Sequence, residues 1–206
     1  MRQTANYDDN VFINCPFDDE YNPLFMATTF TIFDCGFNAR SALEESSTSR
    51  NRLTKIMKII EDCKYGIHDI SRVELDQDTK LPRFNMAFEL GVFLGAGQFG
   101  ADKQKVKKCL ILDAEPYRYQ KYISDLAGND VAAHSNNENK IITIIRDWLS
   151  TSSRRRNIPS GSYICSDYAD FKTKLPIFCR QFKLDANQLT FLDYANTISE
   201  WLKLST

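Results

Sequence analysis

One carboxylate in this chain stands where a carboxylate is out of place. Arg83-Phe84-Asn85-Met86-Ala87-Phe88-Glu89-Leu90-Gly91 follows a polar loop ending in Pro82 and opens an apolar run, Met86 to Phe93, with helical spacing. Glu89 lies inside that run, flanked by Phe88, Leu90, Val92 and Phe93, with nothing nearby in sequence to neutralise it. A carboxylate against apolar surface is costly unless it is paired, protonated or facing a cavity. A solvated helix face is the ordinary place for a glutamate. Ala87, Gly91, Gly95 and Ala96 argue against it here, because they leave small faces on which a sheet or a ligand can approach closely. Glu89 is therefore the leading candidate for chemistry.

The elements that must position it alternate. Val11-Phe12-Ile13-Asn14-Cys15 reads as a short buried strand, broken by Pro16-Phe17-Asp18-Asp19-Glu20. Asp18 or Asp19 can cap a helix from about Tyr21 to Cys35, which stops at Gly36. Phe37 to Leu43 is a second strand. The polar loop Glu44-Glu45-Ser46-Ser47-Thr48-Ser49 offers a Ser or Thr cap to a helix over Asn51 to Cys63 with one apolar face. Tyr65 to Ser71 is a third strand, the Glu89 helix follows, and Cys109-Leu110-Ile111-Leu112-Asp113 is a fourth. Val131 to His134 is a last short strand before an amphipathic helix, Ile141 to Leu149. Strands alternating with helices at this spacing predict an α/β fold, a parallel-sheet, flavodoxin-like doubly wound core.

In such sheets ligands bind beyond the carboxyl ends of the strands. That rule gathers an acidic and polar rim: Asn14 with the Pro16-Phe17-Asp18 loop, Glu44 and Glu45, Asp69 and Ser71, and Asp113, with the Glu89 helix starting beside them. Each alone serves equally as a cap or turn former, and their joint placement carries the weight. Past Asp113, the run Ala114-Glu115-Pro116-Tyr117-Arg118-Tyr119-Gln120-Lys121-Tyr122 is rich in tyrosine and cations. It suits a nucleobase and a phosphate, and equally a surface helix with its tyrosines on the core. Arg83, either at the helix start with Asn85 as an anion contact or paired with Asp76 or Asp78, has the same two readings. Thr151 to Gly161, with Arg154-Arg155-Arg156, reads as a linker and solvated hinge. It divides a domain over residues 1–150 from a C-terminal helical appendage over 151–206, made of helices from Tyr168 to Phe182 and from Gln188 to Leu204.

Composition bounds the rest. The chain has 206 residues, 43% of them hydrophobic, enough for one sizeable core, and its net charge of −1 gives no basic field to attract nucleic acid. No apolar run is long enough to cross a membrane and Met1-Arg2-Gln3-Thr4 lacks a signal-peptide pattern, so a cytoplasmic protein is expected. The six cysteines form no CxxC pair and read as buried free thiols; His68 and His134 supply no zinc-ligand spacing. A nucleophile pair such as Cys15 with His68 stays open.

Asp69-Ile70-Ser71, a loop, then Asn85-Met86-Ala87-Phe88-Glu89-Leu90-Gly91 before an apolar helix and a strand resembles the nucleoside 2-deoxyribosyltransferase-like superfamily. Its relatives include bacterial proteins related to Toll/interleukin-1 receptor (TIR) domains. The likeness covers roughly residues 11 to 150. It implies that Glu89 attacks or stabilises the anomeric carbon of an N-riboside and that Asp69 positions sugar or base, or protonates the leaving base. It implies a substrate among nucleosides, nucleotides and NAD, no cofactor, a homo-oligomer or a defence-system partner, and a place in antiphage defence. The transferases carry Asp-Gly where this chain has Arg83-Phe84-Asn85, and these residues suit a phosphorylated substrate better. The expected function is thus an N-glycosidase on NAD or a related nucleotide. The alternatives are a non-catalytic nucleotide-binding sensor and a deoxyribosyltransferase in salvage.

Overall fold

The structure, a computed structural model, describes residues 6–44, 51–75 and 80–204. Five strands form one all-parallel sheet: β1 (Asn10–Asn14), β2 (Asn38–Ser41), β3 (Tyr65–Asp69), β4 (Lys108–Asp113) and β5 (Val131–Ala133), in the order β2-β1-β3-β4-β5. Val11 pairs with Ala39 on one side and Tyr65 on the other, and Asp69 pairs with Leu112. Every residue of β1 and β3 is buried. Covered strands of this kind need apolar residues on both faces, which is why they read as continuous runs rather than alternating ones.

Among the described residues are six α-helices, α1 (Asn22–Asp34), α2 (Arg52–Glu61), α3 (Asn85–Phe99), α4 (Glu138–Ser153), α5 (Gly161–Gln181) and α6 (Phe191–Leu204), of which α1 to α4 cover the sheet. Successive strand residues point to opposite faces. Val11, Ile13, Ile67 and Leu112 join the core made by α1 and α4, whereas Phe12 meets Ile56, Ile59, Ile60 and Phe93 of α2 and α3. The architecture is an α/β doubly wound sheet with further helices at the C-terminus. Its order reverses between β1 and β3, which puts the topological switch point, the usual ligand crevice of such sheets, at the ends of those two strands.

Local chemistry explains the boundaries. The carboxylate of Asp18 accepts the N–H of Tyr21 at 2.9 Å and shapes the turn into α1, which ends at Gly36 with φ +77°, a conformation glycine adopts without strain. The cap of α2 is Asn51, whose side chain accepts the N–H of Leu53 at 3.0 Å; the Ser and Thr expected for that role, and Glu45, lie outside the described residues. Gly66 is required by close approach, since a Cβ there would meet His68 and Phe93 at 2.7 Å. At Gly91 and Gly95 a Cβ meets nothing within 4 Å, so of the two expected approaches the sheet's does not occur there, although Ala96 packs against the cluster that holds Phe12. Met86, Leu90 and Phe93 make that contact instead.

Of the arginine stretch, Arg154 and Arg156 are exposed as a solvated segment would be, but Arg155 is docked. Thr151 to Ser153 are still helical, and Arg155 donates to Asp9 and, at 2.7 Å, to the carbonyl of Gly36, while its guanidinium lies 4.0 Å over the Phe37 ring. Beyond it, α5 and α6 form an outer layer on α1 and α4. Phe30 of α1 touches Tyr168 and Phe171 with ring centroids 5.2 and 5.1 Å away, and Tyr194 donates to the carbonyl of Met26 at 3.2 Å. Burying aromatic side chains of this size stabilises by about 1.5–3 kcal/mol each, which fastens the outer layer to the core. No helix among the described residues is long and apolar enough to cross a membrane.

Candidate functional site

The rim residues do converge on the carboxyl edge of the sheet, but they sort into separate clusters. Burial raises the Cys15 thiol well above its usual range, and the charges of Asp69, Glu89 and Asp18 raise it further. That field disfavours a thiolate. His68 is equally unsuited to activate it. Its Nδ1 accepts from the Asn14 amide at 2.9 Å, and burial lowers its pKa to about 3. Phe93 and Phe12 enclose its ring. The Cys15–His68 nucleophile pair is thereby set aside. Asn14 is a brace: the same amide donates to the carbonyl of Met86 at 2.8 Å and ties β1 to the first turn of α3.

Glu89 lies on the α2-facing side of α3. It is 8% exposed and has no hydrogen-bond partner among the described residues. It lines a cleft of about 270 Å³ with Asn51, Arg52, Leu53 and Ile56 of α2 and with Asn85 and Phe88 of α3. Burial raises its pKa from 4.5 to about 7, against a smaller opposing pull from the positive charge of Arg52. A carboxylate balanced near neutral pH in a cleft is what acid, base or nucleophilic chemistry requires.

Asp69 is fully buried and held from several sides. Tyr21 donates its hydroxyl to Oδ2 at 2.7 Å, and the N–H of Ser71 donates to Oδ1 at 2.9 Å. His134 Nε2 stands 3.0 Å from Oδ2 without hydrogen-bond alignment, while its Nδ1 accepts from the N–H of Asn136 at 3.0 Å. Tyr21 and Ser71, which hold Asp69, line a larger cavity of about 590 Å³ bordered also by Arg72, Glu115, Asn136 and Lys172. Asp69 therefore acts as an acceptor that positions Tyr21 and the Ser71 backbone. Tyr21 and His134 were missed in the sequence, since their contacts with Asp69 span 48 and 65 residues and carry no periodic signal.

Asp113 and Arg118 form a second buried unit. Asp113 Oδ1 accepts from the N–H of Ala114 at 2.7 Å and from Arg118 Nε and Nη2 at 3.0 and 2.6 Å, and its Oδ2 accepts from the Tyr122 hydroxyl at 2.8 Å. Arg118 also donates to the carbonyl of Ser71 and pairs with Glu74 at 3.1 Å. These contacts make Arg118 a clamp between β3 and β4, and it also lines the cavity of about 590 Å³. Of the tyrosines, Tyr119 is core and Tyr122 belongs to the clamp, leaving Tyr117 in solvent. Asp18 pairs with Arg72 at 2.9 Å and also feels Arg83; Glu44 is bound by Arg40 at 2.7 Å. Asp76 and Asp78 lie outside the described residues. Pro16 and Phe17 line a separate groove toward α6, where Phe17 meets Phe25 edge-on at 5.5 Å. Only Asn85 among the expected binding residues shares the Glu89 cleft, and Arg52, which does share it, was missed because an arginine in the first turn of an amphipathic helix looks like a solvated residue.

No group of three or more His, Cys, Asp or Glu among the described residues is placed to hold a metal ion. No family model matches the chain, and no curated protein or solved structure matches it either.

Proposed function

We propose that this protein is an N-glycosidase that cleaves the bond between ribose and a cationic base, NAD or a related nucleotide being the substrate. The observation that carries the reading is Glu89: a buried carboxylate without a hydrogen-bond partner among the described residues, lining a cleft, with its pKa raised to about 7. Breaking an N-glycosidic bond develops oxocarbenium character at the sugar's anomeric carbon. An ionised Glu89 beside that carbon stabilises the positive charge or captures it covalently, and water or another acceptor then completes the transfer. Desolvation, which makes the charge costly in the empty cleft, is also what makes it effective against a developing cation.

The base is argued from what surrounds Glu89. A neutral purine or pyrimidine needs a proton as it departs. Among the described residues lining the cleft, Glu89 is the sole carboxylate, and Asp69, the other candidate acid, is enclosed by Tyr21, Ser71 and His134. One carboxylate suffices when the leaving group is already cationic, as nicotinamide is in NAD, and this favours NAD over the deoxynucleosides of a salvage transferase. The resemblance to TIR-related proteins supports the same substrate and a defence role. Incubating the protein with NAD, ATP and deoxyadenosine and separating free bases by chromatography tests this. Nicotinamide from NAD, with no adenine from the other two, is expected. Release of adenine from deoxyadenosine alone would return the salvage transferase, and no base from any substrate would leave the sensor reading.

A further inference from the structure

We propose that Arg52 is the phosphate-binding residue of the Glu89 cleft, so that the cleft takes a ribose 5-phosphate unit with its anomeric carbon at Glu89. The inference rests on the glycosidase reading for the identity of the sugar, but its geometry is independent of turnover.

Arg52 is the first residue of α2, and its side chain is exposed with no ion pair or hydrogen bond among the described residues. Other arginines near the carboxyl edge of the sheet are neutralised: Arg40 by Glu44, Arg72 by Asp18 and Glu20, Arg118 by Asp113 and Glu74. Arg52 and Glu89 line the same cleft and feel each other's charge, yet they do not come within salt-bridge distance. Two opposite charges facing one cleft without touching leave room for a molecule that is anionic at one end and becomes cationic at the other. A phosphorylated riboside in the act of losing its base has that charge distribution.

The opposite wall adds a second anion contact. The N-terminus of α3, a helix of 15 residues, has Phe84 at its cap and no side-chain hydrogen bond there, and Asn85 in its first turn lines the cleft. Unpaired N–H groups at a helix start favour anions, and a guanidinium grips two phosphate oxygens at once. Glu89, more than nine-tenths buried and without a hydrogen-bond partner among the described residues, is the independent sign that the cleft is built for a ligand. Leu53, Ile56 and Phe88 supply apolar surface for the sugar carbons and the base. At about 270 Å³ the cleft is just below the usual range of small-molecule sites, so it has room for a ribosyl phosphate and leaves the second half of a dinucleotide outside.

Titration calorimetry with ribose 5-phosphate and with ribose, on the parent protein and on Arg52→Gln and Arg52→Lys, tests the assignment. The parent should bind ribose 5-phosphate at least about tenfold more tightly than ribose, Arg52→Gln should erase that preference, and Arg52→Lys should restore part of it. Equal affinity for the two ligands in the parent, or a preference that survives Arg52→Gln, would overturn it. The two proposals fail separately. An Arg52-dependent preference in a protein that releases no base would keep the phosphosugar site and sink the glycosidase. Base release with a phosphate preference untouched by Arg52→Gln would do the reverse.

Discussion

Glu89→Gln should abolish base release and at the same time make the protein more stable at alkaline pH. Gln keeps the shape of the side chain and removes the charge that an oxocarbenium-like state needs, so turnover should fall to background. The stability half follows from proton linkage. Burial raises the Glu89 pKa from 4.5 to about 7, so the folded state holds this proton more tightly than the unfolded chain does. Where the folded state binds more protons, stability declines as pH rises. Glu89 is therefore harmless below its unfolded pKa. Its cost builds as pH rises from 4.5 to about 7 and is complete above that. The cost is of order 1–3 kcal/mol after allowance for screening through the open side of the cleft. In a chain of this length that amounts to several degrees in unfolding midpoint, about 2–4 °C per kcal/mol. Thermal unfolding of parent and mutant near pH 5 and near pH 8 checks it: curves close together in acid, the mutant higher in base. A mutant less stable than the parent near pH 8 would mean that ionised Glu89 has a favourable partner.

Asp113→Ala should be the most damaging single change at the sheet edge, with a loss of about 3–5 kcal/mol. The side chain of Asp113 is fully buried and that of Arg118 is 15% exposed. Removing the carboxylate takes from Arg118 its buried partner, with the Ser71 carbonyl and the exposed Glu74 remaining, leaves the Tyr122 hydroxyl the Ile70 carbonyl alone, and strands the N–H of Ala114. The loss comes from leaving a charge without its partner, so adding Arg118→Ala should cost far less in the Asp113→Ala background than in the parent. Denaturant unfolding of the four proteins in that cycle measures the coupling, expected at about 1.5 kcal/mol or more. Additive losses would mean that Arg118 is available for a ligand, which is the role first expected of it.

The fold was legible because its strands are covered on both faces. Val11 to Cys15, Tyr65 to Ser71 and Cys109 to Asp113 read as apolar runs for the reason that makes them parallel and buried, and Gly36 marks the end of α1 because only its backbone turns that way without strain. Glu89 was legible because a charge inside an apolar helical run is conspicuous, although the glycines invoked to explain it proved to face open space. Partnerships across the fold were not legible. Arg118 reaches Asp113 through a left-handed residue, Tyr117 at φ 59°, and no pattern of residue types announces that turn. Arg52 shares a cleft with Glu89 only because the sheet sets α2 beside α3, a consequence of strand order rather than of either helix. The same cause separated residues that are near in sequence: Pro16 and Phe17 turn toward α6 while Asn14 braces α3.

The pH dependence of nicotinamide release from NAD tests the central claim most directly, because it asks whether the group that sets the rate is the buried carboxylate. A reaction that needs Glu89 ionised should climb about tenfold per pH unit in acid and level off above about pH 7, where the Glu89 charge is complete. Glu89→Gln should stay at background throughout. A parent rate that is flat from about pH 5 to about pH 9, or base release retained by a folded Glu89→Gln protein, would contradict the account.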